Sequence, residues 1–206
     1  MHTRTFSALT ALFLTAGCSV FEPAHHVKDE TPIYDSAVSA RVRILSGNGT
    51  GDARFWPDLA CYTDIIGKDP QRVSVNDGGF VSEWKNSSTS IRIGMPTSPR
   101  KYMRVEGLIH KDFFKEYVVN GGKPMTVRLA TFPGNWSCRP PAVTFTPVAG
   151  NDYDVYMHEE GKRCWVAVRR IDDKGADEPI RPSLAEECKV PATTVQSPPS
   201  PERFNN

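Results

Sequence analysis

Ala40-Arg41-Val42-Arg43-Ile44 is the stretch that decides the fold, because its apolar and charged residues alternate strictly. Successive side chains of a β-strand point to opposite faces of a sheet, so this pattern predicts a strand with Val42 and Ile44 inside and both arginines outside. The same period of two recurs at 91–95, 125–129, 143–146, 153–157 and 164–168. Such runs predict an all-β domain, an antiparallel β-sandwich of the Ig-like or transthyretin-like kind.

Turn residues separate these runs at Asn120-Gly121-Gly122, Gly150-Asn151-Asp152 and Glu160-Gly161. Helical signals are few. Ser183-Leu184-Ala185-Glu186 fits a capping box and predicts one short helical turn before Cys188. Residues 110–117 fit either a helix or a strand. Residues 62–89 are polar and Gly-rich, which predicts long loops with one weak strand at 72–75.

The N-terminus has the layout of a secretory signal. One arginine, Arg4, precedes an apolar run that is too short to span a bilayer, and the run ends in Leu14-Thr15-Ala16-Gly17-Cys18. Small residues followed by a cysteine resemble the lipobox of bacterial lipoproteins, which implies cleavage before Cys18 and its acylation, with palmitate among the attached chains. Ser19 resembles an outer-membrane sorting context. The alternative is an ordinary secreted protein that is cut near Gly17.

These signals divide the chain into four segments: 1–17 as signal peptide, 18–36 as a flexible lipidated tether, 37–189 as the β-sandwich domain, and 190–206 as a disordered Pro-rich tail. Removing 1–17 leaves 189 residues with 24 basic and 24 acidic side chains. This balance argues against a nucleic-acid footprint and against a polybasic membrane patch. Membrane attachment therefore depends on the lipid.

The number of cysteines supports export of the protein. The chain has five cysteines, and lipidation of Cys18 leaves Cys61, Cys138, Cys164 and Cys188, an even number suited to disulfides in an oxidising compartment. Spacing does not choose among three pairings. We favour Cys61–Cys138 and Cys164–Cys188, because Cys164 faces inward and a short segment returns Cys188 to the edge of its strand. Four reduced, buried thiols are the alternative.

Candidate chemistry is sparse. No residues with metal-ligand spacing, nucleophile elbow or free catalytic thiol stand out, so we expect no metal site, no cofactor and no catalytic residues. Phe55, Trp56 and Trp136 lie beside Cys61 and Cys138 and are candidates for an exposed aromatic binding patch. A small core packed on a disulfide is the plainer interpretation of the same three residues.

Several short motifs stand between residues 38 and 172: Ala40-Arg41-Val42-Arg43, Cys61, Ile93-Gly94-Met95-Pro96, Glu116-Tyr117, Gly122-Lys123-Pro124, Cys138, Phe145-Thr146-Pro147-Val148-Ala149-Gly150-Asn151-Asp152-Tyr153 and Cys164. As a set they resemble a group of uncharacterised Gram-negative cell-envelope lipoproteins with small β domains. The resemblance implies no reaction.

The sequence thus favours a non-catalytic binding or assembly module at the periplasmic face of the outer membrane, held by its lipid and engaging an envelope protein partner. The alternative is a carbohydrate- or peptidoglycan-binding lipoprotein that uses the loop tryptophans. An envelope hydrolase is the third hypothesis.

Overall fold

The computed structural model describes residues 26–46, 50–64, 69–76, 89–100, 114–131 and 137–189. Within these residues there are fourteen strands and no helix, and so no helix that could cross a bilayer. In chain order the strands are β1 (His26–Asp29), β2 (Ser39–Leu45), β3 (Thr50–Trp56), β4 (Cys61–Tyr62), β5 (Val73–Asn76), β6 (Thr89–Arg92), β7 (Phe114–Asn120), β8 (Met125–Thr131), β9 (Val143–Phe145), β10 (Asp152–Glu160), β11 (Arg163–Ile171), β12 (Asp177–Ile180), β13 (Ser183–Leu184) and β14 (Glu186–Glu187).

Two larger sheets enclose the core. The seven-stranded sheet has the order β1-β6-β7-β2-β10-β11-β12, the five-stranded sheet has the order β13-β9-β8-β3-β5, and β14 pairs with β4. Buried side chains from both sheets form one apolar cluster, which includes Val42, Ile44, Val127, Leu129 and Val155. The all-β, sandwich-like prediction is confirmed at this level.

The prediction of purely antiparallel pairing was wrong for the larger sheet. The five-stranded sheet is antiparallel throughout, but β2 pairs in parallel with β10, and β6 pairs in parallel with both β1 and β7. A parallel neighbour requires a long connection. Between β2 and β10 the chain crosses to the other sheet and returns. A period of two in the sequence does not report strand direction, so only the tertiary path reveals this pairing.

The alternation in β2 is confirmed on both faces. Val42 and Ile44 are completely buried on the inner face, and Arg41 and Arg43 point to the outer face. Arg43 is nevertheless buried as well, with 2% of its side chain exposed, so this face of the strand is not open to solvent. Charged residues on the outer face of β2 are covered by the segment Ile93–Arg100, which a strand-by-strand reading of the sequence does not anticipate.

The predicted turn at Asn120-Gly121-Gly122 joins β7 to β8. Gly122 has a φ of 73°, a conformation that L side chains rarely adopt. Gly121 is required for space, because a Cβ there would lie 2.6 Å from the Cβ of Ala149. Two turns of the chain therefore meet at this end of the sandwich.

Three other expectations have clear outcomes. The weak strand predicted at 72–75 is present as β5. The helical turn predicted at Ser183–Glu186 was wrong, because Leu184 pairs with Val143 and Glu186 pairs with Cys61 at sheet edges. Residues 114–117 of the ambiguous stretch are a strand.

The predicted tether is partly ordered. His26–Asp29 forms β1, at one edge of the seven-stranded sheet, and the ring of Tyr34 lies 4.8 Å from the guanidinium of Arg41. This part of the 18–36 tether is thus attached to the domain, which corrects the prediction of a flexible segment there. Cys18, the rest of 1–25 and the predicted tail 190–206 lie outside the described residues.

The four remaining cysteines form two disulfides, but with a different pairing from the one we favoured. The bonds join Cys61 to Cys188 and Cys138 to Cys164, with Cα atoms 5.0 Å and 6.3 Å apart. After β12 the chain crosses to the five-stranded sheet instead of returning along β11. The backbone N–H of Cys188 then donates to Tyr62 O at 2.8 Å, which brings Cys188 beside Cys61.

Peptide mapping under non-reducing conditions should recover Cys61–Cys188 and Cys138–Cys164 peptides. Because loop-closure entropy grows with loop length, removing the pair 127 residues apart should cost about 5 kcal/mol of unfolding free energy, against about 3.5 kcal/mol for the pair 26 apart. The Cys61→Ser/Cys188→Ser and Cys138→Ser/Cys164→Ser double variants measure both losses in urea. Recovery of a Cys61–Cys138 peptide would contradict this pairing.

Candidate functional site

Arg43 is the centre of a buried ionic network on the outer face of the seven-stranded sheet. Its Nε and Nη2 donate to Glu116 Oε1 at 2.9 and 2.7 Å, and its Nη1 donates to Asp154 Oδ1 at 2.9 Å. The three side chains are at most 2% exposed. Because β7, β2 and β10 are neighbours in the sheet, one guanidinium links three strands through charge-assisted hydrogen bonds.

The segment Ile93–Arg100 seals this network from water. Arg43 Nη2 donates to Pro96 O at 2.6 Å, and the backbone N–H groups of Ile93 and Met95 donate to Glu116 Oε2. Arg41 adds a second attachment, since its Nη1 donates to Gly94 O at 2.7 Å while its other nitrogens bind Asp152. The hydrogen bonds that Arg41 donates to Asp152 raise the pKa of Arg41 above its usual value.

A further carboxylate continues the network toward the edge of the sheet. Asp177 on β12 accepts hydrogen bonds from Arg100 and from Arg169. The hydrogen bond from Arg100, assisted by Arg169, lowers the pKa of Asp177. Burial acts in the opposite direction on Asp154 and raises its pKa, although Arg43, Ser98 and Arg100 favour its charged form. Charges of opposite sign therefore alternate from β7 to β12.

Beside this network lies an open groove of about 470 Å³ over β10, β11 and β12. Its aromatic wall is a row of three rings. His158 and Trp165 are cross-strand partners with ring centroids 4.6 Å apart and planes at 35°, and Tyr156 lies 6.2 Å from His158. The guanidinium of Arg100 covers Tyr156 at 4.9 Å. Pro179 and Pro182 line the opposite side.

Three polar groups of the groove have no hydrogen-bond partner within the part of the chain that the structure describes. They are the indole N–H of Trp165, the imidazole of His158 and the guanidinium of Arg181. Trp165 is 40% exposed, which is unusual for so large an apolar ring. The neighbouring Arg169, in contrast, is held by Asp177. An aromatic surface with a few convergent donors is the usual form of a ligand site.

The aromatic patch predicted around Phe55 and Trp56 was wrong. Both lie on β3 and are buried, with 2% and 0% exposed. Phe55 packs against Tyr117 at 4.8 Å, and the indole N–H of Trp56 donates to Asp69 at 2.9 Å. The two side chains thus belong to the domain interior because β3 is a central strand covered on both faces. Trp136, the third predicted residue, lies outside the described residues.

Sequence reasoning missed Trp165, although the signal was present. Cys164, Val166 and Val168 share the inward face of β11, so Trp165 between them has to face outward. The contributions of His158 and Arg181 depend on strand pairing. Register sets His158 opposite Trp165, and β12 brings Arg181 alongside, which no sequence pattern reports.

No family model matches the chain, and the searches of curated proteins and of solved structures likewise found no match. Among the residues that the structure describes, no cluster of three or more His, Cys, Asp or Glu side chains could hold a metal ion. The described lining of the groove contains no serine, cysteine or carboxylate side chain. Its chemistry is that of stacking and hydrogen-bond donation.

Replacing Arg43 by methionine should lower the free energy of unfolding by about 3–5 kcal/mol, since two carboxylates would remain buried without their cation. Urea denaturation measures this loss. Arg170→Gln is the matched control, because Arg170 pairs with Glu178 in the exposed part of the same sheet and should contribute little. Equal losses for the two variants would contradict the assigned role of Arg43.

Acid should weaken the Asp177 contacts in a defined direction. The folded pKa of Asp177 lies below its unfolded value of about 3.9, so its contribution to stability is complete above that pH and disappears as the pH falls through the folded pKa. The difference in unfolding free energy between wild type and Asp177→Asn should therefore shrink below about pH 4. The same comparison in an Arg100→Gln background should give a smaller pH-dependent difference, and an unchanged one would contradict the assignment.

Proposed function

We propose that this chain is a lipid-anchored, non-catalytic binding or assembly module of a Gram-negative cell envelope. The groove beside Trp165 carries the proposal. It combines the exposed Trp165 beside His158 with three polar groups, the indole N–H, the imidazole and the guanidinium of Arg181, that have no hydrogen-bond partner among the described residues. Exposed apolar surface with converging polar groups is typical of a site that is completed by another molecule.

Rigidity of the surroundings supports binding rather than a moving catalytic site. The groove lies on three hydrogen-bonded strands, and the ionic network holds the sheet beneath it. Preorganised side chains lose little entropy when a ligand is bound. A hydrolase would require a nucleophile or an acid–base pair, and the described groove residues offer aromatic rings, prolines and arginines. Hydrolysis is therefore the weaker hypothesis.

The location in this proposal comes from the sequence. The lipobox at Leu14–Cys18 supports acylation, Ser19 supports sorting to the outer membrane, and the mature chain would face the periplasm. Two disulfides agree with an oxidising compartment. The proposal includes membership of the envelope lipoprotein group that the motifs resemble, and a sandwich of Ig-like or transthyretin-like type. The protein-partner hypothesis and the glycan hypothesis both now rest on Trp165 instead of Trp56.

A photo-crosslinking residue, p-benzoylphenylalanine, in place of Pro179 at the rim of the groove should capture one reproducible adduct in intact cells. The same adduct should disappear when Trp165→Ala is added, because the stacking surface is lost. The control position is Arg139, which is exposed and lies outside the groove. Mass spectrometry identifies the adduct.

Two outcomes would contradict the proposal. Identical adducts at positions 139 and 179, or an adduct that survives Trp165→Ala, would show that the groove is not the binding surface. The anchor has its own readout: metabolic labelling with a palmitate analogue should mark the wild type and fail to mark Cys18→Ala. Labelling of the Cys18→Ala protein would contradict acylation at Cys18.

A further inference from the structure

We propose that the groove binds a carboxylate-bearing saccharide, with Trp165 as the stacking platform and Arg181 as the group that recognises the carboxylate. This inference deepens the proposed binding function and rests on it. It assigns a ligand class to a surface that combines the rings and ring nitrogens of one aromatic pair with one guanidinium. The shape of the groove, its hydrogen-bonding groups and its charge together indicate this ligand class.

The aromatic pair indicates the shape of a ligand that fits the groove. A sugar ring has one apolar C–H face and a polar rim, so it satisfies an aromatic ring below it and hydrogen-bond donors around it at the same time. Trp165 is 40% exposed, and the ring of His158 packs 4.6 Å from it at an angle of 35°, so a saccharide would stack on the part of the indole that His158 leaves open. The indole N–H and the imidazole supply hydrogen-bonding groups for the ring hydroxyls of a stacked saccharide.

Arg181 indicates the charge of a ligand that fits the groove. The two acidic residues of β12 are already engaged, Asp177 by Arg100 and Arg169 and Glu178 by Arg170, so neither is left to neutralise Arg181. A guanidinium pairs with a carboxylate through two parallel hydrogen bonds, which a neutral sugar does not supply. Glu160 shares the outer face and is the cross-strand partner of Arg163, and among the described residues no ion pair joins it to Arg181. The groove is therefore complementary to an anion.

Size favours a small saccharide unit over a folded protein. A volume of about 470 Å³ lies within the range typical of small-molecule sites, roughly 300–1,000 Å³. A stable protein interface buries on the order of 800 Å² on each partner. The groove is confined to three strands and is bounded on one side by the side chain of Arg100 over Tyr156, which limits the contact that a flat partner surface could make.

Isothermal titration calorimetry of the mature chain purified in detergent, whose signal does not depend on Trp165, tests this assignment with matched ligands. D-glucuronate has a carboxylate where D-glucose has a hydroxymethyl group, and N-acetylmuramic acid differs from N-acetylglucosamine by a lactyl ether that carries the carboxylate. Each acid should bind about tenfold more tightly than its neutral counterpart. Arg181→Gln should remove this preference while leaving the neutral sugars unaffected, whereas Trp165→Ala should abolish binding of all four. Arg139→Gln is the matched control for the lost charge and should behave as wild type.

Thermal melting verifies that each variant is folded, since neither Trp165 nor Arg181 belongs to the core. Equal affinity for acid and neutral sugars, or a preference that survives Arg181→Gln, would overturn the recognition of the carboxylate. If none of the four sugars binds, the proposal that the ligand is a saccharide is overturned. If a Trp165-dependent protein adduct is nevertheless captured in cells, the binding function stands and only the ligand class falls.

Discussion

The buried guanidinium of Arg43 is the interaction on which the rest of the structure depends. A charge in the interior is tolerated only where opposite charges and hydrogen bonds surround it. Arg43 meets this condition through Glu116, Asp154 and Pro96 O, which lie on two other strands and on a covering segment. Arg43 can bind all of these groups only when they are in place at the same time. The pairing of β7, β2 and β10 and the path of residues 93–100 therefore depend on one another.

This constraint explains why the sheet has two differently built faces. The inner face is apolar and packs on the five-stranded sheet, where nondirectional burial stabilises the contact. The outer face uses directional pairs, which specify position as well as contribute energy. Charges alternate from Glu116 through Arg43, Asp154 and Arg100 to Asp177, so each group is engaged by a neighbour of opposite sign. Trp165, His158 and Arg181 differ because their polar groups have no hydrogen-bond partner among the described residues. This contrast identifies the groove.

The disulfides act on another part of the molecule. Cys138–Cys164 joins the segment after β8 to β11 and so links the two sheets, while Cys61–Cys188 fastens the short strands β4 and β14 at the periphery. The ionic network, by comparison, stabilises the middle of one sheet. One disulfide thus joins the two sheets, the other fastens peripheral strands, and the ionic network holds the middle of the larger sheet. The groove lies between these two regions, on strands that both of them restrain.

Strand alternation, backbone conformation and redox chemistry are local properties, so the amino-acid order already specifies the all-β class, the inward positions of Val42 and Ile44, the turn at Gly122 and the even set of four cysteines. The outward position of Trp165 follows from the same alternation. The tertiary structure adds the burial of Arg43, the parallel pairing of β2 with β10, the disulfide partners and the meeting of Trp165, His158 and Arg181. Each of these depends on which strand lies beside which, over separations of up to 127 residues. Local pattern carries no information about such neighbours, since their choice is made by the combined free energy of the whole packed domain.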